Sequence, residues 1–421
     1  MNIYLKQLYI KHKNQILIGG IKVFLKKVLK ILLSFHILIY FSIASIIFLI
    51  QRILSFFILI RIGRLKNHKL GHITVEIENY LNEKKLNSNN SGKIIFDIFY
   101  KEAFVSNNFF IKMRGRNIFI APKIIFKELY YLNFILGKKY ICGSQNGDRD
   151  IFNLLDQTKS NLIFSEDEVS EGKKFLNKIG VNNKPYVCLI VRDNAYFGFK
   201  PFSNYRNADI ENFKKAINFL TSKGYYVIRM GAKVEKKLKL NNDKFFDYAS
   251  SPLRNEFLDI FIGANCEFCL GTSTGFEGIP MCARKPTVTT NFVPIGYMPS
   301  WSKKSIVIFK HHHCKKTGKK LSLKDIINNG LCLTLDGKEY DHKGVDLIEN
   351  TSEEILDATK EMYKKINNQW ENSYEQNLLN NKFLSIYPLQ IIDRDNQRLH
   401  GSILTQIGFE YLNKNNYFLK D

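Results

Sequence analysis

A short run of hydroxyl-bearing residues that ends in glycine is the part of this sequence best suited to binding chemistry. The run consists of Thr272, Ser273, Thr274 and Gly275. The apolar residues 268–270 precede it, helix-compatible residues 276–283 follow it, and a β-branched run begins at residue 286. Ligands of an open α/β sheet bind at the carboxyl ends of its strands, where helix N-termini hold phosphate. The order predicts a turn that binds a phosphorylated ligand; the alternative is that Thr272 or Ser273 only caps a helix.

Two other predicted strands end in arginine at the same expected edge of the sheet. Arg192 and Asp193 follow the apolar run 186–191, and Arg229 stands two residues before Gly231. A guanidinium can bind two phosphate oxygens at once, and a glycine lets the backbone approach a ligand. Asp193 is a candidate general base for an incoming hydroxyl. The structural alternatives are a salt bridge for Arg192, a cap for Asp193 and a simple turn at Gly231.

Charged residues elsewhere are further candidates for the same cleft. Glu277 lies in the first turn after the hydroxyl-rich run, where a carboxylate either binds sugar hydroxyls or favours the helix N-terminus. His72 is a second candidate general base. A polar cluster on the acceptor side is predicted at Asp148, Arg149 and Asp150. A purely structural role is the alternative for each of these residues.

Alternating strands and helices must position these side chains. Strands are predicted in the N-terminal half at residues 73–77, 93–99 and 118–121. Ser165 and Glu168 predict a capping box that opens a helix over residues 166–179, and Thr351 and Glu354 predict another. Further helices are predicted at residues 208–223 and 256–263. This alternation is typical of a doubly wound α/β sheet.

The N-terminal segment 1–70 differs from the rest of the chain in charge and hydropathy. It holds twelve Lys or Arg and no Asp or Glu, which is about half of the net charge of +23. Residues 31–50 carry no formal charge and match the ~20 residues that cross a bilayer core. The pattern predicts attachment to an anionic membrane surface. A single span, an interfacial helix and a re-entrant hairpin all fit, and a buried soluble helix is the alternative.

The basic charge does not indicate a nucleic acid partner, because it is concentrated at one end and no RNA-binding motif or zinc-finger spacing accompanies it. Seven cysteines are present. Cys188, Cys266 and Cys269 lie in or beside strand-like runs, which predicts small, buried, reduced side chains. A zinc set of Cys266 and Cys269 with residues 311–314 is an alternative, but its long gap is unlike that of structural zinc sites. We predict neither a metal nor a cofactor.

The order of these motifs resembles a family of bacterial glycosyltransferases from surface-polysaccharide gene regions. The matching segments cover most of residues 61–370 and are 61–81, 147–150, 164–181, 186–197, 205–231, 271–296 and 349–362. The Val-Arg-Asp segment at 191–193 is also similar to the arginine motif of some fucosyltransferases, in which the arginine meets the donor diphosphate. Ile190 stands where that motif has histidine.

The resemblance implies a GT-B arrangement, in which two Rossmann-like domains face each other and the C-terminal one holds a nucleotide sugar. We expect residues 1–65 to form a hydrophobic, membrane-associated helical segment and residues 66–182 an acceptor domain. Residues 183–370 would form the nucleotide-sugar domain, and 371–421 a helical tail that packs back on the N-terminal domain.

These expectations converge on an inverting, metal-independent glycosyltransferase at the cytoplasmic face of the bacterial inner membrane. It would move a sugar from a nucleotide-sugar donor to a lipid-linked or glycan acceptor in cell-surface polysaccharide biosynthesis. The arginines, Gly231, Glu277 and the hydroxyl-rich run would hold the donor, and Asp193 or His72 would take the proton of the acceptor. The alternatives are a transferase with another phosphorylated donor and a non-catalytic membrane-associated scaffold.

Overall fold

The computed structural model describes residues 15, 17, 20–29, 35–87, 94–196, 202–393 and 396–420. The chain divides into two compact units. The described residues of the first unit belong to Met1–Leu65, Ser91–Ala103 and Phe119–Cys142. Those of the second belong to Lys66–Asn90, Phe104–Ile118 and Gly143–Asp421. Because the two units interleave along the chain, they do not follow the four predicted segments, whose boundaries stay a prediction.

Helices and strands alternate along most of the chain, as the sequence predicts. The helices from residue 35 onward are α1 (Phe35–Leu54), α2 (Leu70–Asn87), α3 (Asn108–Arg114), α4 (Lys123–Leu136), α5 (Leu154–Gln157), α6 (Glu166–Lys178), α7 (Lys214–Ser222), α8 (Glu256–Asn265), α9 (Gly278–Cys282), α10 (Leu323–Asn328), α11 (Gly337–His342), α12 (Ser352–Ile366), α13 (Tyr374–Ile386) and α14 (Phe409–Lys414). The strands are β1 (Ile58–Leu65), β2 (Ile94–Lys101), β3 (Phe119–Ala121), β4 (Tyr186–Ile190), β5 (Tyr226–Arg229), β6 (Phe245–Phe246), β7 (Phe268–Gly271), β8 (Thr287–Phe292), β9 (Ser305–Phe309), β10 (His311–Cys314), β11 (Val345–Ile348) and β12 (Gln406–Ile407).

The first unit is built on a small parallel sheet of three strands in the order β1-β2-β3. Helix α1 packs beside α4, and Ala44, Ile62, Tyr100 and Leu129 form the buried centre between the helices and the sheet. Helix α1 contains most of the predicted membrane segment, of which residues 31–34 lie outside the described residues. Its residues Ile37–Leu54 have a mean hydropathy of 2.2, so length and composition alone would let it cross a membrane.

The second unit is built on a seven-stranded sheet in the order β12-β9-β8-β7-β4-β5-β6. Every neighbouring pair in it is parallel. Strands β4, β8 and β9 are buried along their whole length, which is why they read as continuous apolar or β-branched runs. From β4 the chain builds β5 and β6 on one side and then returns to build β7, β8 and β9 on the other. The topological switch point therefore lies between β4 and β7.

Both predicted capping boxes are confirmed. The Ser165 hydroxyl accepts from the N–H of Glu168, and the Glu168 carboxylate accepts from the N–H of Ser165. Thr351 and Glu354 exchange the same pair of bonds at the start of α12. The helix predicted at 208–223 is shorter, because a 3-10 turn, Ile210–Phe213, precedes α7.

The strand predicted at residues 73–77 is wrong, because these residues belong to α2. Their β-branched side chains favour a strand locally. Buried polar partners at helical spacing outweigh that preference. Asn161 donates to both Glu78 and Asn82, which stand one helical turn apart, and Arg114 pairs with Glu78 at 2.8 Å.

The predicted C-terminal tail joins the large sheet. Strand β12 pairs with β9 at its edge, and Phe383 and Phe418 enter the core of the second unit. The tail also contacts the loop around residue 149, because the Arg149 guanidinium donates to the Leu399 carbonyl at 3.1 Å.

Candidate functional site

The site is built where β4 and β7 end side by side at the switch point. Beyond β4, the backbone N–H of Arg192 donates to the Thr272 hydroxyl at 2.8 Å. Beyond β7, residues 272–275 turn the chain toward a single 3-10 turn, Gly275–Glu277, and then α9. The predicted order of strand, turn, helix and strand is confirmed. Its position at the carboxyl edge is where an open parallel sheet binds ligands.

The 272–275 turn is held from inside by Glu277. This side chain is only 2% exposed, and its carboxylate accepts from the Thr274 N–H and, at 3.1 Å, from the Thr289 hydroxyl. Burial raises the pKa of Glu277 to about 7, although the two hydrogen bonds and the Arg206 charge oppose the shift. Ser273 has a φ of 62°, so the turn uses the left-handed region that non-glycine residues enter rarely. Glu277 therefore shapes the turn from within the fold, which favours the structural alternative, and its contact with a donor stays a prediction.

Two arginines stand together at this turn. Arg206 donates from Nη2 to the Ser273 carbonyl at 2.6 Å and to the Ser273 hydroxyl at 3.2 Å. Burial, with the nearby charge of Arg206, lowers the pKa of Arg192 to about 10. Two like charges are thus held close enough to disfavour each other. An anion bound between them would relieve that repulsion.

The predictions did not include Arg206 among the site residues. Its sequence signal is weak, because it stands in a polar stretch before a helix, in which the clearest feature is Asp209 as an N-cap. The structure places it in the 3-10 turn Asn204–Arg206, from which it reaches Ser273.

The N-terminus of α2 touches the same turn through two glycines. A Cβ added to Gly71 would lie 2.8 Å from the Gly275 Cα, and one added to Gly275 would lie 2.9 Å from the Gly71 nitrogen. Any larger side chain at either position would push α2 away from the turn. His72 is thereby held beside the turn, although the two features lie in distant parts of the sequence.

His72 is paired with Asp148. The His72 Nδ1 lies 2.8 Å from an Asp148 carboxylate oxygen, and both side chains are partly exposed. Burial raises the pKa of Asp148, but the hydrogen bond and charge of His72 outweigh it and leave the pKa below its usual value. On the same face of α2, Glu76 lies 3.4 Å from Lys66. Burial and the Asp148 charge raise the pKa of Glu76, although Lys66 opposes them.

Two predicted residues near this edge are used within the fold. The Arg229 side chain is 1% exposed; it pairs with Asp247 at 3.1 Å and donates to the Lys236 carbonyl. Both Asp193 oxygens accept backbone N–H groups, from Ala195 at 2.9 Å and Glu235 at 2.8 Å. These contacts favour the structural alternatives that the sequence left open for Asp193 and oppose a ligand contact by Arg229.

Gly231 is a third predicted residue with a role inside the fold. It has a φ of 154°, and a Cβ there would lie 3.1 Å from the Val234 side chain. The position turns the chain after β5 and packs against its own loop. This packing favours the simple turn that the sequence left open for Gly231, and its contact with a donor stays a prediction.

The predicted acceptor-side cluster is divided between two roles. The Arg149 guanidinium donates to three backbone carbonyls, those of Leu399, Tyr297 and Met298, at 3.0–3.1 Å. Asp150 accepts from the N–H groups of Leu154 and Leu155 and so caps α5. Only Asp148 of the three pairs with a residue beside the turn.

Sequence reasoning missed a buried lysine at the same edge. Lys310 directly follows β9 and donates to the Asn207 carbonyl at 2.5 Å, next to Arg206 in sequence. Burial lowers the pKa of Lys310 to about 8, although Glu349 opposes the shift. Its sequence signal was a charged residue directly after an apolar run, the same signal that singled out Arg192.

The cysteines lie apart from this chemistry. All seven are free thiols, and all except Cys314 are buried, as predicted for small core residues. Within the described ranges, no group of three or more Cys, His, Asp or Glu side chains is placed to hold a metal ion.

Comparisons with known proteins give distant similarities in structure only. No protein-family model and no curated protein matches the sequence. The E. coli ADP-heptose lipopolysaccharide heptosyltransferase II is 14% identical, with a TM-score of 0.37 over 59% of this chain and 90% of that one. A family 9 glycosyl transferase from Veillonella parvula is 11% identical, with a TM-score of 0.44 over 72% of this chain and 97% of that one. The E. coli heptosyltransferase WaaC with ADP is 11% identical, with a TM-score of 0.33 over 60% and 91%.

These neighbours are glycosyltransferases by their names. At such TM-scores they assign neither a sugar nor an activity to this chain. What the structure itself gives is a mixed α/β fold with two parallel sheets and a polar cluster at the switch point of the larger one.

Proposed function

We propose that this protein is a glycosyltransferase that moves a sugar from a nucleotide-sugar donor to a membrane-linked acceptor in cell-surface polysaccharide biosynthesis. The observation that carries the proposal is the pair Arg192 and Arg206 at the 272–275 turn. Partly buried like charges are costly unless an anion is bound between them. A nucleoside diphosphate supplies such an anion. The arginines lie at the switch point of the sheet, where the nucleoside attached to the diphosphate would also bind.

The same groups suit the chemistry of sugar transfer. When the bond between the anomeric carbon and the diphosphate oxygen breaks, negative charge grows on the leaving diphosphate. Preorganised donors stabilise that charge without reorganising during the reaction. The guanidiniums of Arg192 and Arg206 are such donors, and they supply the positive charge that a bound metal ion supplies in other transferases. This supports a metal-independent reaction.

His72 is the best placed base for the acceptor hydroxyl. Its Nδ1 is taken by Asp148, so Nε2 is the nitrogen left for proton transfer, and Asp148 fixes the ring and stabilises the positive charge that the ring gains. The contact between Gly71 and Gly275 places it beside the turn. With one base and one leaving group, the acceptor oxygen would attack the anomeric carbon as the diphosphate leaves. Such a single displacement inverts the configuration of the anomeric carbon. Asp193, the other predicted base, has both oxygens engaged by backbone N–H groups.

The membrane-linked acceptor is proposed from the character of the N-terminal segment. Helix α1 is long and apolar, and residues 1–70 carry only basic charge. An enzyme held at an anionic leaflet would meet a lipid-linked glycan at that surface. The cytoplasmic face of the bacterial inner membrane, where nucleotide sugars are available, is the location that we propose.

Calorimetry on the full-length protein in mild detergent tests the donor site. The titrants are ADP, GDP, UDP and CMP with a sugar nucleotide of each, followed by assays for sugar release and transfer. We expect one nucleoside diphosphate to bind and its sugar nucleotide to be consumed. Arg206→Ala should remove the binding, and Arg254→Ala, which changes an arginine paired with Asp259 elsewhere in the second unit, should not.

Each alternative function gives a different result in this assay. A scaffold would bind none of the nucleotides. A transferase with another phosphorylated donor would bind a nucleotide or a phosphate compound without consuming any sugar nucleotide. Nucleotide affinity that is unchanged in both Arg192→Ala and Arg206→Ala would refute the site even if the protein proved to be a transferase.

A further inference from the structure

The first unit exposes a cluster of large apolar side chains at one end, which we call the apolar tip. It comprises Phe56 and Phe57, just after α1, and Phe134, Ile135 and Leu136, the last residues of α4. Phe57 is 78% exposed and Ile135 is 76% exposed. Exposure of this size on neighbouring side chains is costly in water, so the tip indicates an interaction surface.

The two halves of the tip lie together because α1 and α4 run in the same direction. Near their C-terminal ends, Asn133 donates to Gln51 at 3.0 Å and Arg52 donates to Asn133 at 3.3 Å. Just beyond them, the Tyr140 hydroxyl donates to Ser55 at 3.0 Å. These contacts tie the residues that follow α1 to those that follow α4.

Positive charge borders the apolar tip. Lys138 and Lys139 come directly after Leu136 and Gly137, and both are exposed. The Lys138 ammonium lies 5.7 Å from the centre of the Phe134 ring. Lysines beside exposed aromatic residues match the boundary of an anionic bilayer, where apolar groups enter the acyl region and ammonium groups meet phosphate.

Helix α1 itself is held on one side by protein. Ala44 is fully buried and Gln51 is 2% exposed, and the Gln51 side chain donates to the Ile60 carbonyl in β1 at 2.7 Å. The opposite side exposes Leu38, Ile46 and Ile53, which are 60%, 61% and 68% exposed. If α1 crossed a bilayer, β1 and α4 would enter the hydrocarbon with it, where open sheet edges are not tolerated.

We infer that the first unit binds an anionic bilayer from one side, with α1 lying along the interface and the apolar tip inserted. The outward side of α1 contacts acyl chains, its inward side stays on the protein, and Lys138 and Lys139 meet the headgroup phosphates. The lipid bilayer is favoured over a second copy of the chain because basic residues border the tip. The inference stands apart from the donor site and would hold for a scaffold as well.

Vesicle flotation of the full-length protein tests the tip. The probes are vesicles of phosphatidylcholine alone and vesicles with one third phosphatidylglycerol. The double variant Phe56→Glu with Phe57→Glu, and the single variant Ile135→Glu, should each lower partitioning on both vesicle types by about tenfold or more. Phe104→Glu, at a residue of the second unit that is 65% exposed, is the matched control and should leave it unchanged.

The basic residues are tested separately. Lys138→Glu with Lys139→Glu should weaken partitioning by roughly tenfold or more, only on the anionic vesicles and less at high salt. Lys173→Glu with Lys174→Glu, an adjacent exposed pair on α6, is the control. Thermal melts confirm that every variant is folded. Unchanged flotation of the folded tip variants, or a sedimentation result showing that the tip joins two copies of the chain, would overturn the inference.

Protease protection separates an interfacial α1 from a spanning one. The full-length protein carries an epitope tag at each end and is bound to sealed inverted membrane vesicles. We expect protease added outside to remove both tags, because an interfacial α1 leaves both ends of the chain on the outer side. A protected N-terminal tag with a digested C-terminal tag would show that α1 spans the membrane, contrary to the inference.

Discussion

Two neighbouring strands of the large sheet each have an arginine at or just beyond their carboxyl end, and the two arginines have different surroundings. Arg229 ends β5, is buried, and has its charge balanced by Asp247. Arg192 follows β4, the next strand of the sheet, and lies beside a second positive charge, Arg206. Arg229 is paired with a carboxylate inside the fold, whereas Arg192 has a second guanidinium beside it at the 272–275 turn.

The difference follows from where each strand lies relative to the switch point. The strand order reverses between β4 and β7, and open parallel sheets generally bind ligands at such a point. Beside β5, the loop that follows folds back over the strand end and brings the Lys236 carbonyl and Asp247 onto Arg229. A charged residue at a strand end that its own following loop engages, as Arg229 is engaged, is therefore a weaker ligand candidate.

The largest expected effect distinguishes the two predicted bases, His72 and Asp193, of which only Asp193 has both oxygens bound by backbone groups. His72→Gln should lower kcat for sugar transfer by roughly 10³-fold, within the range for a lost general base, with nucleotide affinity unchanged. Asp193→Asn should change kcat by less than about threefold, because its oxygens serve only backbone groups, which an amide oxygen still partly serves. Single-turnover assays with calorimetry on both variants would measure this. A stronger loss in Asp193→Asn than in His72→Gln would reverse the assignment.

The next largest effect concerns Arg229, which is paired with Asp247. Arg229→Met should lower the free energy of unfolding by about 3 kcal/mol, because Asp247 loses the partner of a buried ion pair. Nucleotide affinity, measured well below the melting temperature, should stay the same. Urea unfolding gives the first quantity and calorimetry the second. A stable variant that no longer binds nucleotide would place Arg229 in the site and remove the contrast between the two regions.

The parts of the fold that the sequence predicted are those where local pattern and tertiary environment agree. Tyr186–Ile190 is buried on both faces, so its apolar run is sufficient to identify β4. The capping boxes at Ser165 and Thr351 are local hydrogen bonds that need no distant partner. Residues 73–77 fail this condition, because the partners that hold their helix at Glu78, Arg114 and Asn161, lie far along the chain.

The sequence predicted the strands and the turn of the site, but not the contacts that its side chains make with residues far away in the sequence. The 272–275 turn and Arg192 stand directly after strands, where position alone makes them candidates. The contact of Arg206 with Ser273 and the pairing of His72 with Asp148 each join distant parts of the sequence, which no local pattern encodes. For the same reason, the sequence could not separate Arg229 and Arg149, which are used inside the fold, from Arg192.

Substitution of Arg192, which lies beside Arg206, should lower the affinity for the nucleotide sugar without lowering the stability of the fold. Arg192→Ala should cost roughly 2 kcal/mol of nucleotide-sugar affinity, the range of a charge-assisted hydrogen bond. Arg192→Lys should retain only part of this affinity, because lysine lacks the planar guanidinium that binds two phosphate oxygens at once. The free energy of unfolding should stay level or rise, since the repulsion with Arg206 is removed. A fall in the melting temperature with unchanged affinity would instead indicate a structural salt bridge and make Arg192 equivalent to Arg229.

The last expected effect depends on pH and lies in Glu277, the buried carboxyl behind the turn. Its pKa is raised by burial to about 7, above its ordinary value of 4.5. The folded state therefore keeps a proton that the unfolded state releases. The stability that this proton contributes is complete below pH 4.5 and is lost as the pH rises toward 7 and beyond.

Glu277→Gln mimics the protonated form and keeps an oxygen for the Thr274 N–H and a donor for Thr289. At pH 4, the variant and the original protein should unfold at the same urea concentration. By pH 8, the variant should be more stable by about 3 kcal/mol, because only the original protein then buries a charge. The comparison cancels other groups that titrate in this range, such as Asp259, whose pKa is raised to about 6 by burial. If Glu277→Gln is instead less stable at every pH, the carboxylate is ionised in the folded state. The charge of Arg206 would then be balanced within the protein, as that of Arg229 is, and the turn would hold less net positive charge for a diphosphate.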